Sequence, residues 1–375
     1  MSSRAPSPAD ANQAAAAARA FPLLGALRSA APHGSGHIND TFAVTMDQAG
    51  TPVRYLLQRI NDRVFTEVPA LMENVRRVTE HLARGAAGLP DGSRRGLTLV
   101  SARDGHPCHR DAAGGWWRCY LFIEGAKTYD VIETPRQARE AARSFGEFQV
   151  RLGDLPGPRL ADTIPHFHDT RRRFENLRRA SGAAAGERAA QARADLAFAF
   201  DREPMVDALL ALRDRGEVPE RITHNDTKIN NVMIDDATQA GLCVIDLDTV
   251  MPGLALYDFG DMVRTATNSA AEDERDLSRV RARIPLFEAI VDGYLSATRS
   301  FLAPAEVAHL ALSGRLITFE IGIRFLTDFL EGDRYFKIKR PGHNLDRARN
   351  QFALLRSLEE QAEAMETIVR RHAAP

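Results

Sequence analysis

The sequence predicts an α+β, two-lobed fold with a small β-rich N-lobe and a larger, mostly helical C-lobe. Three observations carry this reading. The 375 residues exceed what one hydrophobic core organises comfortably. Before Gly125 the apolar runs are short and divided by Gly and Asn turns, a strand signature. After Gly125 apolar residues recur at three- and four-residue intervals over long stretches, a helix signature.

Taken in order, residues 1–20 are expected to form a flexible N-terminal extension, 21–124 the N-lobe and 125–375 the C-lobe. Thr41–Thr45 and Arg54–Ile60 read as strands joined by the turn Asp47-Gln48-Ala49-Gly50. Leu71, Val75, Val78 and Leu82 place a helix over Val68–Leu82. Thr98–Val100 and Trp117–Ile123 add two strands. A helix opens on Thr134-Pro135, with proline favourable in the first turn, and runs to Leu152. Residues 180–200 read as solvated helices, and Leu312–Leu330 and Arg347–Ile368 as long helical periods.

The bulk properties narrow the function. Lys plus Arg (49) and Asp plus Glu (50) nearly cancel, which disfavours a general nucleic-acid or membrane-surface binder. No run approaches the roughly 18 apolar residues a membrane helix needs. Cys108, Cys119 and Cys243 form neither a disulfide framework nor a zinc spacing, so a cytoplasmic protein is expected. The Ala-rich stretch 11–27 is preceded by Asp10 and interrupted by Arg19, so it is not read as an export leader.

The informative stretch is Ile222-Thr223-His224-Asn225-Asp226-Thr227-Lys228-Ile229-Asn230-Asn231-Val232-Met233-Ile234-Asp235, followed by Leu242-Cys243-Val244-Ile245-Asp246-Leu247-Asp248. It reads as a loop holding a carboxylate and an amide, then a hairpin delivering another carboxylate. Phosphoryl transfer needs such parts: a carboxylate to orient the attacking hydroxyl and hard oxygen ligands to hold Mg²⁺ on the phosphates. One histidine among carboxylates and amides suits Mg²⁺ better than the Zn²⁺ of a hydrolytic site.

The spacing His-x-Asp-x-x-x-x-Asn, with a later apolar strand ending in Asp, resembles the phosphotransferase family that includes aminoglycoside and choline kinases, relatives of the protein kinases. The resemblance implies a protein-kinase-like fold, ATP and Mg²⁺ as cofactors, Asp226 as catalytic base, and Asn231 and Asp246 as metal ligands. It implies that His224 supports the loop and that Lys228 approaches the transferring phosphate. Asp258-Phe259-Gly260 spells the protein-kinase metal motif, but Asp258 follows Asp226 by 32 residues, whereas Asp246 follows Asp226 by 20 and sits at the end of an apolar strand. Asp246 is therefore the expected ligand. Asp258 and Asp261 are expected to cap a helix and brace the loop, and Asp248 to be an auxiliary group.

For the nucleotide, Gly34-Ser35-Gly36 leads through Asn39 into a strand, and glycine backbone can approach phosphate oxygens closely. Arg59 is the only cation in the next strand's second half and is the expected phosphate partner, with Glu73 as its ionic partner. The segment containing Phe122 and Glu124 is expected to present its backbone to adenine.

The segments 224–232 and 246–253, with Leu57–Asn61, Phe167–Thr170 and Tyr257–Asp261, look like bacterial N-acetylhexosamine 1-kinases. This implies a sugar acceptor phosphorylated at its anomeric hydroxyl. Arg264, Arg324, Asp328 and Tyr335 are the expected acceptor residues; Arg324 and Asp328 are four apart and share a helix face. Other small alcohols (an aminoglycoside, choline, homoserine) and a nucleotide-binding pseudokinase are the alternatives.

Overall fold

The computed structural model describes residues 8–34, 38–184 and 186–374. The N-lobe comprises α1 (Pro8–Ala18), β1 (Ala26–Pro32), β2 (Asp40–Gln48), β3 (Thr51–Ile60), α2 (Val68–Gly85), β4 (Leu99–Val100), β5 (His109–Arg110) and β6 (Trp116–Leu121). Its strands form an antiparallel sheet in the order β1-β2-β3-β6-β4, with β5 also on β6. The β2–β3 hairpin closes through left-handed Ala49 and Gly50, and the Asp47 carboxylate accepts from the Gly50 amide at 2.7 Å.

The segment 1–20, expected to be a flexible extension, contains an ordered helix. Residues 8–18 form a helix whose Ala14, Ala17 and Ala18, with Phe21, are buried among Phe42, Val44, Leu57 and Trp117. Small side chains let the helix lie close against one face of the sheet, which is why an alanine-rich segment is ordered here.

After β7 (Ala126–Lys127) come α3 (Pro135–Leu152), α4 (Thr170–Ala183), α5 (Gly186–Gln191), α6 (Arg193–Phe200) and α7 (Ala208–Asp214). Two short ladders then frame the site: β8 (Arg221–Thr223) pairs with β11 (Met251–Gly253), and β9 (Val232–Asp235) with β10 (Gly241–Val244). The chain ends in α8 (Ala255–Thr267), α9 (Ile284–Thr298), α10 (Pro304–Ala308), α11 (Leu310–Leu330), α12 (His343–Glu360) and α13 (Ala362–Ala373). The period expected over 347–368 is thus two helices, broken at Gln361. The helical core joins α3, α8, α9 and α11, and its apolar cluster continues beneath α2. Asn74 of α2 bonds Ala161 and Val250 of the C-lobe, tying the lobes behind the cleft.

Among the described residues no helix is long and apolar enough to cross a membrane.

Candidate active site

The loop 224–231 leaves β8 and returns into β9, so the two ladders hold its ends. His224 is buried between Phe145 and Phe148. Its Nδ1 accepts from the Asp226 amide at 3.3 Å, so Nε2 carries the proton and donates to the Ile245 carbonyl at 2.9 Å. The Ile245 amide in turn donates to the Asn231 carbonyl at 2.9 Å. Loop and hairpin are therefore stitched at the residue before Asp246, which brings Asp226, Asn231 and Asp246 together.

Asp258 braces the loop from below. Its carboxylate accepts from the His224 amide at 2.9 Å, the Asn225 amide at 2.7 Å and the Gln149 side chain at 2.6 Å. It does so from the first turn of α8, whose N-cap is Leu254, so the expected capping role is corrected. Asp261 holds Arg264 at 2.8 Å, and its other oxygen has no partner among the described residues.

The electrostatics divide the carboxylates. Burial would raise the Asp226 carboxyl, but the Lys228 ammonium at 2.8 Å outweighs it and holds the group below its ordinary value. Asp246 goes the other way: burial and the neighbouring carboxylates of Asp248 and Asp226 push it up. It adopts a left-handed backbone at φ 60°, unusual for a non-glycine residue, at the turn that swings the chain out of β10. The Asn231 amide nitrogen donates to the Asp226 carbonyl at 2.8 Å and carboxylate at 3.1 Å, which leaves its oxygen as the acceptor. Asn231 and Asp246 thus offer hard oxygen donors where negative charge is in excess, a set suited to Mg²⁺ completed by phosphate oxygens.

The N-lobe contribution differs from expectation. Arg59 shares a strand face with Tyr55 and Leu57, which pack toward α1, and its charge is felt by Asp111. Glu73 pairs with Arg76 at 2.6 Å, not with Arg59. The pairing of Gln58 with Arg118 puts those two side chains on the opposite face of the sheet. Arg118 is buried, ion-paired with Asp248 and hydrogen-bonded to Gln58 at 2.9 Å. Asp248 also accepts from Asn39 at 2.6 Å, joining the segment after the Gly-rich turn to the loop beyond Asp246. Arg118 is the buried cation that sequence reasoning missed. Gly34 has φ 75° and open space around it; Ser35 and Gly36 lie outside the described residues. Arg54 stacks on Phe122, 3.9 Å from its ring centre, and forms an ion pair with Glu124.

On the acceptor side, Arg324 is buried, with Phe167 and Phe336 ring centres 5.0 and 5.7 Å from its guanidinium. Among the described residues it makes no ion pair. Asp328 is not its partner: both carboxylate oxygens are used by the amides of Arg334, Tyr335 and Phe336 and by Asn344, at 2.8–2.9 Å. Asp328 therefore shapes the loop that carries exposed Tyr335. Arg264 is held by Asp261 and Glu272, and its charge reaches Asp226.

A carboxylate on a braced loop, an amide and a second carboxylate converging on it, and a β-lobe closing over them define a kinase-like phosphotransferase. The chain belongs to the phosphotransferase enzyme family APH, whose model matches residues 29–303. It resembles in fold an aminoglycoside phosphotransferase from Alicyclobacillus acidocaldarius, with TM-score 0.55, 14% identity and 96% of each chain covered. A spectinomycin phosphotransferase in complex with ADP and spectinomycin gives TM-score 0.57 and 11% identity, covering 93% of this chain and 98% of that one. An ethanolamine kinase from Plasmodium vivax gives TM-score 0.52 and 13% identity, covering 84% and 79%.

Proposed function

We propose that this phosphotransferase is an ATP- and Mg²⁺-dependent cytoplasmic kinase that phosphorylates the anomeric hydroxyl of an N-acetylhexosamine. Two observations support the reading: the Asp226 carboxyl is held below its ordinary value, and Arg324 is a buried cation against aromatic rings. A polycationic acceptor calls for clustered carboxylates or an aromatic cage around its charge. Here Arg324 is a buried cation, and the nearby carboxylates are already engaged, Asp328 by its own loop and Glu320 by His168 and Thr170. Arg324 can donate to a carbonyl or ring oxygen, and Tyr335 or Phe336 can cover a sugar face.

In this reading Asp226 accepts the hydrogen bond of the anomeric hydroxyl, aligns its oxygen with the terminal phosphate and receives its proton. Lys228 balances charge at the transferring group. Asn231 and Asp246 would hold Mg²⁺, which neutralises the phosphate oxygens when bound. Arg118, rather than Arg59, supplies the N-lobe cation behind the phosphates, through Asp248 and Asn39.

The test is a panel of free N-acetylhexosamines, other hexoses, aminoglycosides, choline and homoserine with ATP and Mg²⁺. The expected product is an acid-labile sugar 1-phosphate. Transfer to an aminoglycoside or choline, with none to a sugar, would overturn the acceptor assignment.

A further inference from the structure

We propose that His168 is a positioning residue for Asp226: a buried imidazolium, paired with Glu320, that fixes the peptide leading into the base. The proposal rests on Asp226 being the base but adds a residue 58 positions away in sequence.

His168 precedes α4 and is buried, as is Glu320 in the middle of α11. The ring places Nδ1 2.8 Å from the Glu320 carboxylate and Nε2 3.1 Å from the Asn225 carbonyl. A carbonyl only accepts. The other Glu320 oxygen already accepts from the Thr170 hydroxyl at 2.6 Å. Burial would raise the Glu320 carboxyl, but His168, and Arg324 one helical turn along, hold it below its ordinary value. With both ring nitrogens facing acceptors, both must carry protons, which only the imidazolium does. Tyr257, the remaining polar ring against it, lies 5.1 Å away between centres.

The target of this charge is specific. The Asn225 carbonyl and the Asp226 amide belong to one rigid peptide plane. His168 takes the carbonyl end, and His224 Nδ1 takes the amide end. Asn225 itself is left-handed at φ 65°, a conformation that a non-glycine residue keeps only when its surroundings hold it. The Asp258 carboxylate on its amide and the Thr223 and Thr249 carbonyls on its side chain do part of that work. Rotation of the 225–226 plane would swing the Asp226 carboxylate away from the acceptor hydroxyl, and the His168–Glu320 pair opposes that rotation from outside the loop.

His168→Phe keeps the ring and removes both of its hydrogen bonds, so the Asn225 carbonyl and the Glu320 carboxylate each lose a partner. Per nucleotide-binding site, kcat is expected to fall about tenfold to a hundredfold, the range for losing a charged hydrogen bond. The Kd for ATP should stay within about twofold, because nucleotide groups lie elsewhere; the fold change is an order-of-magnitude expectation. Unchanged kcat in this variant would overturn the proposal. A second readout needs no acceptor and no variant activity. ¹⁵N-histidine spectra of the wild-type protein at neutral pH should contain one ring protonated at both nitrogens, absent in His168→Gln. A bare nitrogen on His168 would overturn the proposal whether or not the sugar acceptor is right.

Discussion

At the scale of single residues, the site sets two aspartates apart by their neighbours. Asp226 has a cation beside it and stays ionised; Asp246 has two carboxylates beside it and is raised. Asp226→Asn keeps the shape and the contact with Asn231 but cannot take a proton. Turnover should drop by about 10²–10⁴, the usual contribution of a general base, with ATP affinity nearly unchanged. Steady-state kinetics with nucleotide titration separates the two. Asp235, at the end of β9, is a purely structural counterpart. Its carboxylate accepts from the Thr238 amide and hydroxyl and from Arg94, which lowers it to about 2. A group lowered in the folded state contributes fully above its ordinary value and loses that contribution as pH falls toward its folded value. The thermal midpoint of Asp235→Ala should therefore lie below wild type by a constant margin from neutral pH down to about pH 5, narrowing below about pH 4. A margin that stays constant or widens in acid would contradict the assignment.

At the scale of elements, Gly260 in Asp-Phe-Gly has a packing role. A Cβ there would lie 2.5 Å from the Ser313 carbonyl and 2.7 Å from Ile317, so glycine lets α8 and α11 touch. Gly260→Ala should destabilise the protein by about 1–3 kcal/mol, the range for overpacking, as read by denaturant unfolding. Activity at low temperature should fall with it, since α8 carries Asp258 to the loop. Local patterning made much of this layer readable. The helix over 135–152 starts on a Thr134 capping box, and the spacing from His224 to Asn231 marks a loop because its chemistry is contiguous in sequence. Which face of the N-lobe sheet meets the cleft was not readable. Side chains alternate with period two, so the pairing of Gln58 with Arg118 decides that Arg118, not Arg59, faces the C-lobe. The Glu320–His168 contact spans 152 residues and Arg118–Asp248 spans 130, distances over which no local period carries information.

At the scale of the whole molecule, the cleft is closed by a buried polar tie. Arg118 rises from the N-lobe sheet, Asp248 follows the proposed metal ligand of the C-lobe, and Asn39 joins the Gly-rich segment to the same carboxylate. Such a pair contributes little net stability over an apolar substitute, but stranding one partner is costly. Arg118→Met leaves Asp248 buried near Asp246, with Asn39 as its one remaining side-chain hydrogen-bond partner among the described residues. The single variant should lose about 3–5 kcal/mol of unfolding free energy, and Arg118→Met combined with Asp248→Leu should recover part of it. Function separates the two variants from stability. Both remove the link between the N-lobe and the loop after Asp246, so both should raise the KM for ATP and show a smaller rise in thermal midpoint on adding nucleotide with Mg²⁺ than wild type does. A double variant that regains stability and binds nucleotide like wild type would reduce Arg118 to a packing residue. Recovered folding with weak nucleotide binding would make the buried pair the lobes' shared nucleotide support.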